Sequence, residues 1–269
     1  MKIYHGTVTI SATLSIAKKT WIMRLKAPEV AKLAKAGQFV MLRIPGCRAP
    51  LLGRPLAIYA VEGECVDIVY AVVGHGTELL SRQERGMKLE IWGPLGNGFP
   101  EGEEGEEPIL VAGGIGQTPM RMLAIRFLER SPEQKVTLLM GHRSEEWMAC
   151  EEDFKQLSED YGNRLKMELA TEDGSLGHRG LVTDLLAGCL RATSHVYACG
   201  PFPMLRRVAE MTAERQVPCH VSLETPMACG MGICFGCVTK QKAATPEGWD
   251  YCRTCTEGPV FDASQLVWD

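Results

Sequence analysis

Five of the eleven cysteines are crowded near the C-terminus, and they constrain the fold of this chain more than any other feature. They are Cys229, Cys234, Cys237, Cys252 and Cys255. The first three have the spacing C-x4-C-x2-C, which together with one distant cysteine is the ligand pattern of plant-type 2Fe–2S clusters. A loop with three ligands must wrap tightly around its cluster, and Gly230, Gly232 and Gly236 permit that path. The pattern predicts an iron–sulfur site whose fourth ligand is Cys252 or Cys255.

The same region also comes close to a zinc-ribbon pattern, because it contains C-x2-C-x14-C-x2-C. The zinc ligands would be Cys234, Cys237, Cys252 and Cys255. This alternative leaves Cys229 and the interleaved glycines without a role, so we favour iron. The two interpretations differ at Cys229, whose replacement by serine abolishes an iron–sulfur cluster but spares a ribbon zinc site.

The composition is that of an ordinary globular protein, with 45% hydrophobic and 23% charged residues among 269. The net charge of −4 argues against nucleic-acid binding, which favours a basic surface. Residues 1–15 contain no signal-peptide pattern, and no run of roughly 18 apolar residues is present to span a membrane. An odd number of cysteines without a secretory signal argues against a disulfide framework. We therefore expect a cytoplasmic protein that binds neither nucleic acid nor membranes.

Short runs of β-forming residues extend from residue 7 to about residue 93, and they predict a small antiparallel barrel. The predicted strands cover residues 21–26, 38–44, 56–61, 65–72 and 87–92. The acidic, glycine-containing segment 101–107 has no apolar periodicity and predicts a surface linker. We place the first domain at residues 1–100.

Beyond the linker, strands alternate with helices, which predicts a parallel sheet with helices on both faces. The strands are expected at residues 109–112, 136–140, 165–170, 195–199 and 219–223. The helices are expected near residues 120–128, 153–160, 183–190 and 203–216. We assign this α/β domain to residues 101–223 and a C-terminal cluster subdomain to residues 224–269. The predicted fold class is thus α/β plus all-β.

Two short motifs in the barrel region suit a flavin. Residues 53–59, with the sequence G-R-P-L-A-I-Y, begin a predicted strand, and the Arg54 guanidinium suits a pyrophosphate that accepts two hydrogen bonds. The backbone N–H groups that follow it suit the edge of a flavin ring. Gly76 and Thr77 open a short predicted helix with Thr77 as N-cap, where free N–H groups favour a phosphate. A surface arginine and a plain helix cap are the alternatives.

Two glycine-containing turns in the α/β region suit a dinucleotide. Gly113, Gly114 and Gly116 lie between a predicted strand and a predicted helix, where a pyrophosphate approaches the backbone, although the pattern is not G-x-G-x-x-G. Tight packing of the strand and the helix would explain the same glycines without a ligand. Cys199 and Gly200 end a later strand, at the carboxyl edge of the sheet where ligands bind.

These motifs occur in this order in the ferredoxin-reductase-like superfamily, and the chain most resembles the electron-transfer subunits of NAD-dependent (class 1B) dihydroorotate dehydrogenases. The resemblance covers nearly the whole chain, including G-P-L-G-N-G at residues 93–98 and C-T-E-G-P-V-F at residues 255–261. It implies an FAD site formed by Arg54, Pro55, Leu56, Ala57, Val69, Tyr70, Ala71, Gly76 and Thr77. It also implies cluster ligation by Cys229, Cys234, Cys237 and Cys255. The family pattern prefers Cys255 because this residue precedes the stretch G-P-V-F-D.

The chain departs from the family pattern in two places. Leu56 and Ala57 replace the usual aromatic or aliphatic residue and serine of the flavin motif, so the serine hydroxyl contact to the flavin is absent. Cys252 is an additional thiol. The loop 141–146 contains Arg143 as well as acidic residues, so a preference for NAD over NADP rests on the family alone.

The resemblance implies an electron-transfer role in which the cofactors carry the chemistry. A nicotinamide exchanges two electrons as a hydride, a 2Fe–2S cluster exchanges them singly, and FAD does both. Because a (β/α)8 barrel takes about 250 residues, a dihydroorotate-oxidising FMN domain does not also fit in this chain. The resemblance therefore implies an FMN-containing catalytic partner in a heterotetramer, whose electrons reach NAD+ during pyrimidine biosynthesis. The alternatives are a reductase subunit of a ferredoxin, hydrogenase or sulfite reductase complex, and a zinc-binding interaction module.

Overall fold

The computed structural model describes residues 3–102 and 105–268, so Glu103 and Glu104 of the acidic segment lie outside the described residues. The strands are β1 (Tyr4–Ala17), β2 (Thr20–Lys26), β3 (Phe39–Arg43), β4 (Arg54–Glu62), β5 (Cys65–Ala71), β6 (Lys88–Leu95), β7 (Glu107–Gly113), β8 (Val136–His142), β9 (Leu165–Thr171), β10 (His178–Arg179), β11 (Ser194–Cys199), β12 (Cys219–Ser222), β13 (Val238–Lys242), β14 (Trp249–Arg253) and β15 (Val260–Asp262). The helices are α1 (Pro28–Ala31), α2 (His75–Ser81), α3 (Thr118–Arg130), α4 (Glu151–Tyr161), α5 (Val182–Cys189) and α6 (Phe202–Glu214). No helix within the described ranges is long and apolar enough to cross a membrane.

The first six strands close into an antiparallel barrel in the order β1-β2-β5-β4-β3-β6. Side chains alternate between its interior and its exterior, as the period of a strand requires. In β5, Ile68 and Tyr70 pack in the barrel core, while Val69 between them packs against the second domain. The barrel therefore presents part of β5 to the rest of the chain.

The next strands form a seven-stranded sheet in the order β10-β9-β8-β7-β11-β12-β15. All neighbours are parallel except β12 and β15. Helices α3 and α4 pack on the face that also meets the barrel, and α5 and α6 pack on the other face. The strand order reverses between β7 and β11, and ligands of such sheets bind at the carboxyl ends of the strands at this switch point.

The cysteine-rich region leaves this sheet after β12 and returns to it as β15. In between lie the cysteine loop, which comprises residues 229–237, and the hairpin of β13 and β14. Asn97, which follows barrel strand β6, donates hydrogen bonds to the carbonyls of Glu257 and Val260 at 3.1 and 2.7 Å. The region is thus fixed both to the sheet and to the barrel.

The predicted fold class is confirmed, since an antiparallel barrel precedes a parallel sheet with helices on both faces. The strand prediction lacked β1, the β13–β14 hairpin and the short strands β10 and β15. Strand β1 and the hairpin are largely half-buried or exposed along their length, so neither shows the run of buried residues that marks a core strand. Strands β10 and β15 have only two and three residues, too few to form a recognisable pattern. The limits of the three proposed domains stay predictions.

Candidate cofactor sites

The cysteine loop winds tightly because several of its residues adopt the left-handed backbone conformation. The φ angles are +69° at Gly230, +80° at Gly232 and +54° at Phe235. A Cβ atom added to Gly230 would lie 2.7 Å from Cγ of Met41, on the barrel. These glycines therefore serve both the loop's path and its close approach to neighbouring segments.

The four thiols of the proposed cluster site contact one another in two pairs. Cys229 and Cys234 share a side-chain hydrogen bond, and so do Cys237 and Cys255. The first pair is more exposed, whereas Cys237 and Cys255 are buried beside the barrel. A 2Fe–2S cluster takes its four cysteine ligands over two iron atoms, and paired thiols suit that division.

Backbone N–H groups point at the sulfur atoms of the exposed pair. Met231 N donates to Sγ of Cys229 at 3.4 Å, and Gly236 N donates to Sγ of Cys234 at 3.5 Å. Although burial opposes ionisation, such N–H donors lower the pKa of Cys229 to about 7. Burial raises the pKa of Cys255 to about 12, with a further contribution from Cys237. The backbone N–H donors at Cys229 and Cys234 favour the thiolate, which is the form of cysteine that binds a metal.

Cys252 lies apart from this group. Its Sγ donates to the carbonyl of Thr239 at 3.7 Å, and its side chain packs with Val221 and Phe261 in the core of the nucleotide-binding sheet. Across the described ranges, no three Cys, His, Asp or Glu side chains converge to hold a single metal ion. A ribbon zinc site would need Cys252 to turn toward Cys234, so this geometry favours the cluster arrangement.

The flavin motif places Arg54 at the start of β4, above the beginning of α2. One terminal nitrogen of its guanidinium donates to the carbonyl of Leu52 at 3.0 Å, while its Nε is buried without a partner. A Cβ atom on Gly76 would lie 2.9 Å from Cδ of Arg54, so the side chain crosses directly over this glycine. The unpaired Nε beside a helix start fits an anionic group such as a pyrophosphate.

Thr77 is not the N-cap of α2, so that prediction was wrong. The helix begins at His75 and is capped by Gly74, which makes Thr77 its third residue. The Thr77 hydroxyl accepts hydrogen bonds from Val73 N at 3.0 Å and Gly74 N at 3.3 Å. It therefore stabilises the preceding turn, and Gly76 rather than Thr77 lies against Arg54.

The other flavin residues lie on adjacent strands of the barrel wall. Residues 54–57 of β4 are half-buried, and Ala71 at the end of β5 is half-buried as well. Tyr70 points into the barrel core with its hydroxyl unpaired, and burial raises its pKa. Only the backbone of Tyr70 is available to a ligand outside the barrel.

The glycine turn of residues 113–116 meets residues 199 and 200 at the carboxyl edge of the sheet. A Cβ atom on Gly116 would lie 2.1 Å from the carbonyl oxygen of Cys199, and one on Gly200 would lie 3.0 Å from Gly113 N. These glycines are therefore required by packing. Gly114 differs, because its φ is +54° and an added Cβ would meet nothing within 4 Å. Its backbone is open to a ligand at the switch point of the sheet.

Cys199 is a packing residue of this edge rather than a reactive thiol. It is 4% exposed, and burial raises its pKa. Together with Tyr59 and Val69 of the barrel it belongs to the core between the barrel and the sheet. Tyr59 extends this contact by donating to Oδ2 of Asp153, on α4, at 2.7 Å. The barrel wall and the carboxyl edge thus meet over one shared core, and the surface along which they meet is called the cleft below.

Comparison with known proteins agrees with this geometry. Residues 110–210 match the oxidoreductase NAD-binding domain, and residues 224–267 match the iron-sulfur cluster binding domain of dihydroorotate dehydrogenase B. The chain is 36% identical over 265 residues to the dihydroorotate dehydrogenase B (NAD(+)), electron transfer subunit of Desulforamulus reducens, with 97% of each chain covered. The protein of the same name from Shouchella clausii is 35% identical, with 99% of this chain and 100% of that chain covered. This chain belongs to the family of dihydroorotate dehydrogenase B electron transfer subunits.

Solved structures extend the likeness to the fold. The NADH-dependent reduced ferredoxin-NADP oxidoreductase, described for flavin-based electron bifurcation, is 26% identical with a TM-score of 0.83, covering 97% of this chain and 90% of that chain. The ferredoxin reductase in carbazole 1,9a-dioxygenase has a TM-score of 0.70 at 19% identity, covering 82% and 69%, and shares the fold. The predicted family is confirmed. This family member is an oxidoreductase subunit whose cofactors are NAD, FAD and an iron–sulfur cluster.

Sequence reasoning missed several residues that position these sites. Trp92 Nε1 donates to the carbonyl of Cys229 at 3.0 Å and so fixes the start of the cysteine loop to barrel strand β6. Asn97 and Tyr59 connect the barrel to the other two regions. Asn97 falls within the G-P-L-G-N-G segment at residues 93–98. Its resemblance to the family was the one sequence feature that could have identified Asn97. Tyr59 ends the motif of residues 53–59, which predicts a flavin contact but not a contact with α4, and Trp92 has the sequence context of an ordinary strand residue.

Proposed function

We propose that this chain accepts electrons from the FMN of a dihydroorotate-oxidising partner and delivers them to NAD+ through a 2Fe–2S cluster and FAD. In this role it serves de novo pyrimidine biosynthesis. The observation that carries the proposal is the match of residues 224–267 to the cluster-binding domain of dihydroorotate dehydrogenase B specifically, within a likeness that spans nearly the whole chain.

The cluster ligands in this proposal are Cys229, Cys234, Cys237 and Cys255. Their contacts in two pairs and the position of Cys252 in a separate core support the choice. The N–H groups of residues 231 and 236 stabilise negative charge on the ligand sulfurs. A bound cluster would pass electrons one at a time, and the protein holds its ligands by anchoring Cys229 to Trp92.

For the FAD site we propose residues 54–57, 69–71, 76 and 77. The Arg54 guanidinium would neutralise the pyrophosphate, and the backbone of β4 and β5 would hold the flavin ring. Bound FAD would convert single electrons into the pair that a nicotinamide takes. For NAD we propose Gly113, Gly114, Gly116, Cys199 and Gly200. In that site the Gly114 backbone would contact the nucleotide, while the other residues hold the edge in place.

The partner surface in this proposal surrounds the cysteine loop. Met231, Ile233 and Phe235 project from the loop with exposed fractions of 45%, 74% and 60%. Large apolar side chains at this exposure beside a cofactor site suit burial against another protein. We propose that the FMN-containing subunit covers them in a heterotetramer with two copies of each chain.

The division into an FAD-binding barrel (1–100), an NAD-binding domain (101–223) and a cluster subdomain (224–269) is part of the same proposal. The closed barrel, the separate sheet and the cysteine region between β12 and β15 support it. We also propose a cytoplasmic location, which suits a protein whose eleven cysteines are all free thiols.

Co-expression with the FMN-containing subunit tests the function. We expect a complex with flavin and iron–sulfur absorbance that reduces NAD+ when dihydroorotate is added without oxygen. The matched control carries Ile233→Asp, which should weaken the association while leaving the spectrum of this chain intact. A chain that holds its cofactors but associates with a hydrogenase or sulfite reductase subunit instead would contradict the proposal.

A further inference from the structure

Glu224 lies in the segment that joins the nucleotide-binding sheet to the cysteine loop. It follows the end of β12 by two residues. On either side of it, the Leu223 N–H and the Thr225 hydroxyl donate to backbone carbonyls of the cluster region at 2.9 and 3.4 Å. The chain is therefore held on both sides, and Glu224 has a fixed place between the sheet and the cluster ligands.

The side chain of Glu224 lies on the face of the sheet that meets the barrel. Val221 and Leu223 pack with α5 and α6, so the alternation of an extended chain places residues 222 and 224 on the opposite face. On that face the Ser222 hydroxyl hydrogen-bonds the Cys199 thiol, and the Glu224 carboxylate acts electrostatically on the same thiol. Glu224 therefore borders the cleft between the barrel wall and the carboxyl edge, where the proposed flavin and nicotinamide sites meet.

The carboxyl group of Glu224 has no use in the fold itself. Among the described residues it has no hydrogen-bond or ion-pair partner, and its charge adds to the effect of burial in raising the pKa of the Cys199 thiol on β11. The residue is open to solvent, yet protein atoms around the cleft desolvate its carboxyl and raise its pKa. A carboxyl without a partner in such a cleft is typical of a functional group rather than a structural one.

The reaction at this cleft requires a proton as well as electrons. Reduction of NAD+ to NADH consumes two electrons and one proton, and a 2Fe–2S cluster delivers electrons alone. The proton must therefore come from solvent or from a protein group beside the flavin and the nicotinamide. Bound cofactors would displace water from the cleft. A side-chain carboxyl there would then give the proton a shorter route than solvent does.

From this placement we propose that Glu224 holds the proton that accompanies the two electrons to NAD+ and is reloaded from solvent after each turnover. This inference rests on the proposed order of electron transfer through cluster and flavin. In each cycle the carboxyl loses one proton to the cleft, NAD+ gains a hydride equivalent, and the carboxylate regains a proton from water. The reverse direction, oxidation of NADH, returns the proton to the same group.

Glu224→Gln in the complete complex tests the proposal, because glutamine keeps the shape but holds no exchangeable acid. We expect NADH-dependent reduction of a one-electron dye to slow about a hundredfold at neutral pH, a typical loss for a missing proton acceptor. The dissociation constant of NAD+ should change less than about twofold, because the carboxyl is not needed to hold the nucleotide. In this direction Glu224 accepts the proton, so the ionisation that limits the wild-type rate at low pH should vanish, and Glu224→Asp should restore it in part.

A second measurement does not depend on turnover. The infrared spectrum of the wild-type complex should contain a protonated carboxyl band that titrates with pH and is missing in Glu224→Gln, whereas Glu214→Gln on the exposed side of α6 should retain it. An unchanged pH profile, or a rate loss matched by an equal loss of NAD+ affinity, would overturn the proposal. Because the dye assay needs no dihydroorotate, a complex that fails only with dihydroorotate contradicts the proposed function and not the role of Glu224.

Discussion

The cysteine loop and the glycine turn are both irregular segments beside a cofactor site, but they build it from different parts of the chain. In the cysteine loop the side chains are the proposed ligands, and backbone N–H groups point at their sulfur atoms. In the glycine turn the backbone is the part proposed to meet the ligand, and side chains are missing because most have no room. A substitution therefore removes a ligand in the first segment and adds an obstructing atom in the second.

The largest expected effect is at Cys229. Cys229→Ser should reduce the iron content and the visible iron–sulfur absorbance of the purified chain to near zero, because a hydroxyl is a poor substitute for a thiolate ligand. Cys252→Ser is the matched control and should retain the cluster, since that thiol lies in a separate core. Loss of metal in the Cys252 variant with retention in the Cys229 variant would instead indicate a ribbon zinc site.

Substitutions in the glycine turn should change the free energy of unfolding. Gly116→Ala places a Cβ atom 2.1 Å from a carbonyl oxygen, and we expect it to lower the free energy of unfolding by about 3 kcal/mol or more. Gly114→Ala meets no atoms and should cost only about 1 kcal/mol for its left-handed backbone. Urea unfolding of both variants measures the difference. Equal costs would mean that the turn relaxes around the added atom.

A buried histidine near the same edge should make stability depend on pH. His142 ends β8, is 6% exposed and has neither ring nitrogen paired, and burial lowers its pKa to about 4. The folded state therefore binds fewer protons than the unfolded state between that value and the ordinary pKa. This part of the stability is complete above about pH 6.5 and falls by about 3 kcal/mol as the pH drops to about 4.

His142→Leu should remove this component, since leucine cannot titrate and needs no hydrogen bond. The free energy of unfolding of the variant relative to the wild type should rise as the pH falls from about 7 to about 4.5, as measured by urea unfolding at each pH. A constant difference over that range would show that the pKa of His142 is the same in both states, which requires a hydrogen-bond acceptor for its protonated ring in the folded protein.

The smallest expected effect concerns Arg54, whose site combines a side chain with a glycine beneath it. Arg54→Lys keeps the charge but loses the two-pronged geometry, and we expect FAD affinity to fall about tenfold. Fluorescence titration of the flavin-free chain with FAD measures this change. Arg82→Lys is the control, since Arg82 is exposed and directly follows α2, and an equal loss there would point to net charge rather than geometry.

The difference between the two segments also explains what the sequence could predict. A cysteine pattern is specific because few other roles place thiols at that spacing, so the amino-acid sequence alone is enough to recognise the cluster region. Glycines are ambiguous, because packing and ligand contact both require a missing side chain. The roles of Gly114 and Gly116 are therefore distinguished only by their neighbours across the sheet.

Other features depend on contacts between distant parts of the chain. The separation of Cys252 from the other thiols follows from its packing against β12 and β15, which spacing does not reveal. The N-cap of α2 was placed too late because the Thr77 hydroxyl reaches back to Gly74, a pattern that local sequence does not distinguish from a true cap. Glu224 had no signal at all, since a single glutamate after a strand acquires meaning only from the cleft around it.

The return of the chain as β15 means that the segment with all four proposed ligands is closed at its base. Ser222 pairs with Val260 on the same two strands, and the Leu223 N–H donates to the Pro259 carbonyl at 2.9 Å. Iron loss would then open a loop without unravelling the sheet beneath it. We expect the iron-depleted chain to keep its nucleotide-binding half folded, ready to be reloaded during assembly or after oxidative damage.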